Sequence, residues 1–209
     1  EKVNQLLEES TALALDSQRF ANPLKRIHNL AYFQSYKEEN YATALLHLKG
    51  LERCNSISYS EKTEGELRLG LGRVYNRQKN FNAAREQLEQ ASEIFRASNY
   101  LGGLTAASFE LAELAMETQR PQEALNFYRR ALNLAIAPDM KMTALKGLVN
   151  AYQSAGEFEK AFLSLLQVQT IKDSLQSLEV QKAVLEIESK YQLRDKESTI
   201  VQLSNEAKI

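Results

Sequence analysis

The chain has 209 residues, and its 26 Lys and Arg nearly cancel its 27 Asp and Glu, for a formal net charge of −1. Charges of both signs are interspersed along it, which excludes the clustered cationic surface that nucleic-acid and membrane-surface binding require. Hydrophobic residues at 44% and charged residues at 25% match an ordinary globular composition, and no run reaches the ~18 apolar residues of a membrane helix.

The chain opens on Glu1-Lys2-Val3-Asn4-Gln5, which reads as an amphipathic helix over 2–18 and not as a secretory leader. The missing initiator Met reads as a fragment of a longer protein. Asn22-Pro23 then reads as an N-cap followed by proline at the first helical position, opening a helix over 23–38. Helices over 41–55 and 62–78 follow, and Asn80 is a good N-cap for one over 81–97. Gly102-Gly103 reads as a connection ahead of a helix over 102–118. Pro121 opens a helix over 121–136, Ala137-Pro138-Asp139 connects to 139–155, and a last helix of this set covers 158–172. No sustained period-two pattern interrupts them, so no sheet is expected.

Aligning the chain on itself brings out a repeat. Asn40-Tyr41-Ala42-Thr43-Ala44, Asn80-Phe81-Asn82-Ala83-Ala84, Arg120-Pro121-Gln122-Glu123-Ala124 and Glu157-Phe158-Glu159-Lys160-Ala161 correspond, with the final alanines spaced 40, 40 and 37 apart. Four residues after each alanine stands Leu48, Leu88, Tyr128 or Leu165, and three further on Leu51, Ala91, Ala131 or Val168. Spacing of four then three holds these on one helix face. The preceding helix of each copy carries Leu71-Gly72-x-x-Tyr75, Leu111-Ala112-x-x-Ala115 or Leu148-Val149-x-x-Tyr152, with Ala31-Tyr32-x-x-Ser35 as a degenerate first copy. Small residues there let two backbones approach while large ones fill the space between hairpins.

This order of small and large residues resembles the tetratricopeptide repeat family over residues 24 to about 172. The resemblance implies an all-α fold, a right-handed stack of helical hairpins, with an N-terminal capping helix or truncated repeat over 1–22 and four hairpins over 23–172. The period exceeds the family's usual ~34 residues, so helices or connections are expected to be extended. The closing proline is absent.

From Asp173 the alanine pattern stops. Val180, Val184, Ile187, Tyr191 and Val201 follow a four-three spacing, with Arg194 and Ser198 at two stripe positions. One long helix is expected over about 176–205. It either caps the last hairpin or pairs with a second chain as a short coiled coil, making a homodimer. Lys172-Asp173-Ser174-Leu175, Lys190-Tyr191-Gln192 and Lys196 to Leu203 resemble a junction in bacterial membrane receptors, especially those of Bacteroidetes. The resemblance implies an extracytoplasmic sensor region in a membrane-anchored histidine kinase or helix-turn-helix regulator.

No catalytic constellation is evident. His28 and His47 have no cysteine or convergent carboxylates to complete a metal site, Cys54 has no thiol partner, and Gly70-Leu71-Gly72 lacks the context of a nucleotide loop. No catalytic residue, cofactor or metal is expected, which leaves recognition of a protein or peptide ligand. The family resemblance implies that the first helix of each hairpin lines a concave groove. The candidate groove residues are Asn29, Phe33, Tyr36 and Lys37; Glu66, Leu69, Arg73, Asn76 and Arg77; Phe109, Glu113, Met116 and Glu117; and Lys146, Asn150 and Gln153. Lys146 and Asn150 resemble half of the clamp by which co-chaperones hold a C-terminal carboxylate, but the remaining clamp positions do not match. The second reading is a free cytoplasmic adaptor or peptide-responsive regulator.

Overall fold

The structure, a computed structural model, describes residues 18–177 together with Gln5, Glu9 and Leu185. The expected helices over 2–18 and about 176–205 lie, but for Gln5, Glu9, residues 18, 176 and 177 and Leu185, outside the described residues, and with them the cap-or-coil alternatives for the tail. Among the described residues the fold is helical without a strand. In chain order α1 is Gln18–Lys37, α2 Tyr41–Ile57, α3 Glu61–Arg77, α4 Phe81–Ala97, α5 Leu101–Glu117, α6 Pro121–Leu134 and α7 Pro138–Ser154. A further helix, α8, covers 158–177. The chain divides into two compact units, one ending at Ser164 and one beginning at Leu165.

The pairing is that of successive hairpins. α1 packs chiefly on α2, α3 on α4 and α5 on α6, with smaller contacts from each hairpin to the next. The anchoring alanines sit where the repeat requires: Ala44, Ala84 and Ala124 are 0% exposed and Ala161 is 4% exposed. Leu48, Leu88 and Tyr128 are likewise buried beside them, each burial favourable by about 1.5–3 kcal/mol. Gly72 sets the approach of α3 to α4. A Cβ there would stand 2.6 Å from Leu88 and 3.3 Å from the carbonyl oxygen of Ala84. The long period comes from the helices: α3, α4 and α5 run 17 residues each, while α6 stops after 14, which shortens the third interval to 37. Leu165 departs from the expected pattern and is 52% exposed. In α8 the buried positions are Ala161, Ser164 and Val168, so the outer two keep the repeat positions and the middle one falls three residues after the alanine instead of four.

Local chemistry fixes the ends. Asn40, Ser60 and Asn80 each accept a backbone N–H three residues on, from Thr43, Thr63 and Ala83, and Pro121 and Pro138 occupy the first helical turn. All four turns within hairpins share one geometry. Glu39, Lys79, Gln119 and Gly156 take the left-handed conformation, with φ of 57°, 61°, 56° and 76°. Each is followed by a residue whose N–H reaches back five positions, as in Asn80 to the Tyr75 carbonyl at 2.9 Å and Arg120 to the Ala115 carbonyl at 2.8 Å. This is the pattern by which a helix end satisfies its last carbonyls.

Two expectations change at the N-terminal side. Pro23 lies inside α1 and does not open it. The apolar stripe of Ala21, Leu24, His28 and Tyr32 is buried through the proline, and continuous burial on both sides outweighs one lost helical hydrogen bond. Gly102-Gly103 is not a connection but the first turn of α5. The turn itself is Ser98 to Tyr100, with Asn99 left-handed at φ 52°. Gly103 answers a packing need, since a Cβ there would lie 2.6 Å from both Phe95 and Tyr100.

The register also marks an exposed apolar pair on α1. Leu67 and Val74 of α3 and Ala107 and Leu114 of α5, which pack toward the preceding hairpin, are 0–1% exposed. Forty residues before Leu67 stands Ile27, exposed at 44%, and beside it Leu30, exposed at 71%.

His28 of α1 and His47 of α2 meet inside the first hairpin, ring centroids 5.7 Å apart, and both are buried. Burial, and next the neighbouring His47, push His28 from 6.5 down to about 4; burial also lowers His47. The unfolded chain therefore binds more protons than the folded one below about pH 6.5. Stability from this pair is complete above that pH and is lost as pH falls toward 4. Two predictions follow from the packing and the turns. The melting temperature should fall between pH 7 and 5, and fall less in the His28→Gln/His47→Gln variant; parallel curves for both proteins would refute it. Lys79→Gly should raise the urea midpoint by the equivalent of about 0.5–1 kcal/mol, because glycine occupies the left-handed region without a Cβ clash. An unchanged or lowered midpoint would refute it.

Candidate binding face

The first helices of the hairpins, α1, α3 and α5, share one face. Their side chains bond from hairpin to hairpin about one repeat apart. Asn29 Nδ2 donates to Glu66 at 3.4 Å, Arg73 Nε to Glu110 at 2.7 Å, and Arg77 Nε to the Tyr36 hydroxyl at 3.1 Å. The second helices carry a matching set. Arg85 makes a two-pronged bond to Glu123, at 2.8 and 3.1 Å, and Arg130 donates to Ser92 at 3.4 Å.

Between α1, α3 and α5 opens a cavity of about 270 Å³. α1 contributes Asn29, Tyr32 and Phe33, α3 contributes Glu66, Leu69 and Arg73, and α5 contributes Gly102, Gly103 and Ala106; Phe95 and Tyr100 complete the lining. The two rings meet edge to face, 5.5 Å between centroids, and Gly103 lets them lie against the α5 backbone. Sequence reasoning had no signal for Phe95, Tyr100, Gly103 or Ala106 as lining residues. They come from a helix end, a turn and a first helical turn, and only the stacking of hairpins brings them beside α1.

The candidate groove residues separate into groups. Asn29, Phe33, Glu66, Leu69 and Arg73 are brought together at the cavity. Leu69 is only 7% exposed and belongs to the core between α3, α4 and α5. Arg73 is largely taken up inside the protein. Its side chain is 19% exposed against 22% for Glu110, and it lies beside Tyr32, whose phenol burial pushes up to about 12. Tyr36 and Arg77 bond each other at the far end of the same helices. Asn76 is half-buried, its Oδ1 unbonded among the described residues. On α5, Phe109 and Met116 are half-buried while Glu113 and Glu117 are exposed; Glu113 accepts a hydrogen bond from the Tyr128 hydroxyl of α6. Burial, and then that carboxylate, raise the Tyr128 pKa well above the usual phenol range. Lys37, Lys146, Asn150 and Gln153 are exposed and do not line the cavity.

Among the described residues no group of three or more His, Cys, Asp or Glu could hold a metal ion, and no helix is long and apolar enough to cross a membrane. Cys54 is buried and unpaired, and burial raises its thiol pKa.

Residues 65–98, the second hairpin, match the tetratricopeptide repeat. No curated protein sequence matches the chain. Among solved structures, BtubC (BKLC) from P. vanneervenii superposes with a TM-score of 0.69 at 15% identity, covering 83% of this chain and 74% of that one. The nearly identical TPR-like repeats of a protein from Podosopora anserina, assigned as a kinesin light chain, give a TM-score of 0.62 at 19% identity over 84% of this chain and 88% of that one. A Rap protein complexed with Competence and Sporulation Factor gives 0.62 at 18% identity, over 72% of this chain and 44% of that one. At these identities the likeness is one of fold. The described helices share the helical-repeat fold of these structures, and one hairpin among them matches the tetratricopeptide repeat.

The placement of Arg73 carries a prediction. Removing either Arg73 or Glu110 should cost about 1.5–3 kcal/mol, the range for hydrogen bonds to charged groups. The Arg73→Ala/Glu110→Ala double variant should cost less than the sum of the two single changes. Additive losses in urea denaturation would show that the pair is not a stabilising tie between the hairpins.

Proposed function

We propose that the chain is a non-enzymatic binding domain that takes a protein or peptide segment on the face of α1, α3 and α5. The observation that carries this reading is the cavity between three helices of successive hairpins, with aromatic and aliphatic walls and few polar groups, the composition expected of a ligand site. The Rap structure supports it as a solved case of a similar fold complexed with a factor.

We place this surface in the extracytoplasmic sensor region of a bacterial signal-transduction receptor, with a membrane anchor and a homodimer formed through the C-terminal helix. Support for the receptor comes from the resemblance of Lys172 to Leu175 and of Lys190 to Leu203 to a receptor junction. The second reading, a cytoplasmic adaptor or peptide-responsive regulator, draws on the Rap likeness. The gene sequence after Ile209 separates them: a membrane span followed by a kinase or DNA-binding module supports the receptor, and a stop codon there supports the adaptor.

For the binding face itself, a photo-crosslinking amino acid is placed in the full-length protein in its host cells, at Phe33, at Phe109 or at the exposed Glu86 of α4. Discrete adducts are expected from Phe33 and Phe109 and not from Glu86. Adducts from Glu86 alone would move the binding site off this face.

A further inference from the structure

A second cavity, of about 380 Å³, adjoins the apolar one and shares Asn29 and Glu66 with it. Its charged lining is Lys25 and Arg26 from α1 and Lys62 and Glu66 from α3, three cations to one carboxylate. Lys25 is only 7% exposed, and its ammonium donates to the Ser58 carbonyl, a neutral acceptor. Arg26 makes no bond or ion pair with another described residue. Lys62 pairs with Glu66 at 3.9 Å and lies 4.8 Å from the Tyr100 ring centroid, so the one lining carboxylate is set against one of the three cations. The first turn of α3 also carries Glu61 and Glu64; neither lines the cavity, and Glu64 is taken by Arg68 at 2.8 Å and by Asn55 at 3.1 Å. The cavity also meets the first turn of α3 at Lys62 and Thr63, the positive end of a helix. A buried cation without a counter-charge is costly. Burial accordingly lowers the Lys25 pKa, and an anion lodged between these three groups would offset that cost.

We infer that the two cavities together take an acidic peptide segment, with an aliphatic or aromatic side chain in the apolar cavity and the carboxylate of a nearby Asp or Glu among Lys25, Arg26 and Lys62. This rests on the reading of the α1, α3 and α5 face as the binding site and adds the chemistry of the ligand. The complementarity is specific in sign. Arg73 is already neutralised by Glu110, so the net charge of the combined lining comes from the second cavity, where cations outnumber acids. A basic peptide would meet like charge there, which costs affinity and slows encounter.

The test is a selection of random twelve-residue peptides displayed on phage against the wild-type chain. Selected peptides are then resynthesised and measured by fluorescence anisotropy. Three proteins are compared: wild type; Arg26→Gln/Lys62→Gln, which leaves the buried Lys25 in place; and Ala106→Phe, which fills the apolar cavity. Melting curves confirm that both variants fold. Selected peptides are expected to carry Asp or Glu beside an apolar residue. Their affinity should fall at least about tenfold in Arg26→Gln/Lys62→Gln, weaken with added salt, and fall also in Ala106→Phe. If peptides bind, lose affinity in Ala106→Phe, but lack acidic residues or bind Arg26→Gln/Lys62→Gln within twofold, the acidic ligand is overturned while the binding face stands. If no selected peptide is sensitive to Ala106→Phe, the binding face fails and the inference with it.

Discussion

The close approach of two helices at an alanine or glycine is the constraint on which the rest of this molecule depends. Ala84 faces Gly72, and the methyl group and hydrogen at those positions bring the α3 and α4 backbones close enough for Leu88 to fill the remaining space. Where the small residue is fixed, so are the rotation of each helix and the faces left for the neighbouring hairpin. The alanine at the same place in the first three hairpins therefore repeats one geometry, and a stack results because each presents to the next what it received from the one before.

The turns enforce this repetition. Four turns of identical hydrogen bonding hold the second helix against the first, and three of them use Glu39, Lys79 and Gln119 in a conformation that favours glycine. The strain is local and is met by carbonyls that would otherwise end without partners. Ion pairs then join one hairpin to the next on both helices, through Arg73 to Glu110 and Arg85 to Glu123. Non-directional apolar packing brings the hairpins together, while the charged pairs fix their register along the stack.

The binding face follows from the same geometry. Stacking sets the first helices side by side, and where α5 begins with Gly102-Gly103 the wall thins and a cavity opens against Phe95 and Tyr100. Charge on this face is unevenly consumed. Arg73 and Arg77 are engaged within the protein, whereas of Lys25, Arg26 and Lys62 only Lys62 meets a carboxylate among the described residues, Glu66 at 3.9 Å. Recognition on this face therefore depends on which charges the fold leaves uncompensated more than on which charges are present.

Residue spacing determined the helices of the described region to within about five positions, the small-residue anchors and the N-caps at Asn40 and Asn80, and the family resemblance those anchors carry implied the hairpin pairing. These are local or periodic properties, written into neighbouring residues by helix geometry and capping chemistry. The family resemblance also implied Phe33, Leu69 and Arg73 on a shared face. Only the tertiary structure decided that Arg73 is spoken for by Glu110, that Pro23 lies within a helix, that Gly103 serves packing and not a turn, and that Leu165 turns outward. Each of these depends on which particular side chains or helix faces meet once the helices pack, and a periodic pattern carries no information about that. Lys25, Arg26 and Lys62 illustrate the same limit: nothing in their spacing marks them as a group, and they meet because the first turn of α3 lies beside the stretch of α1 from Asn22 to Asn29.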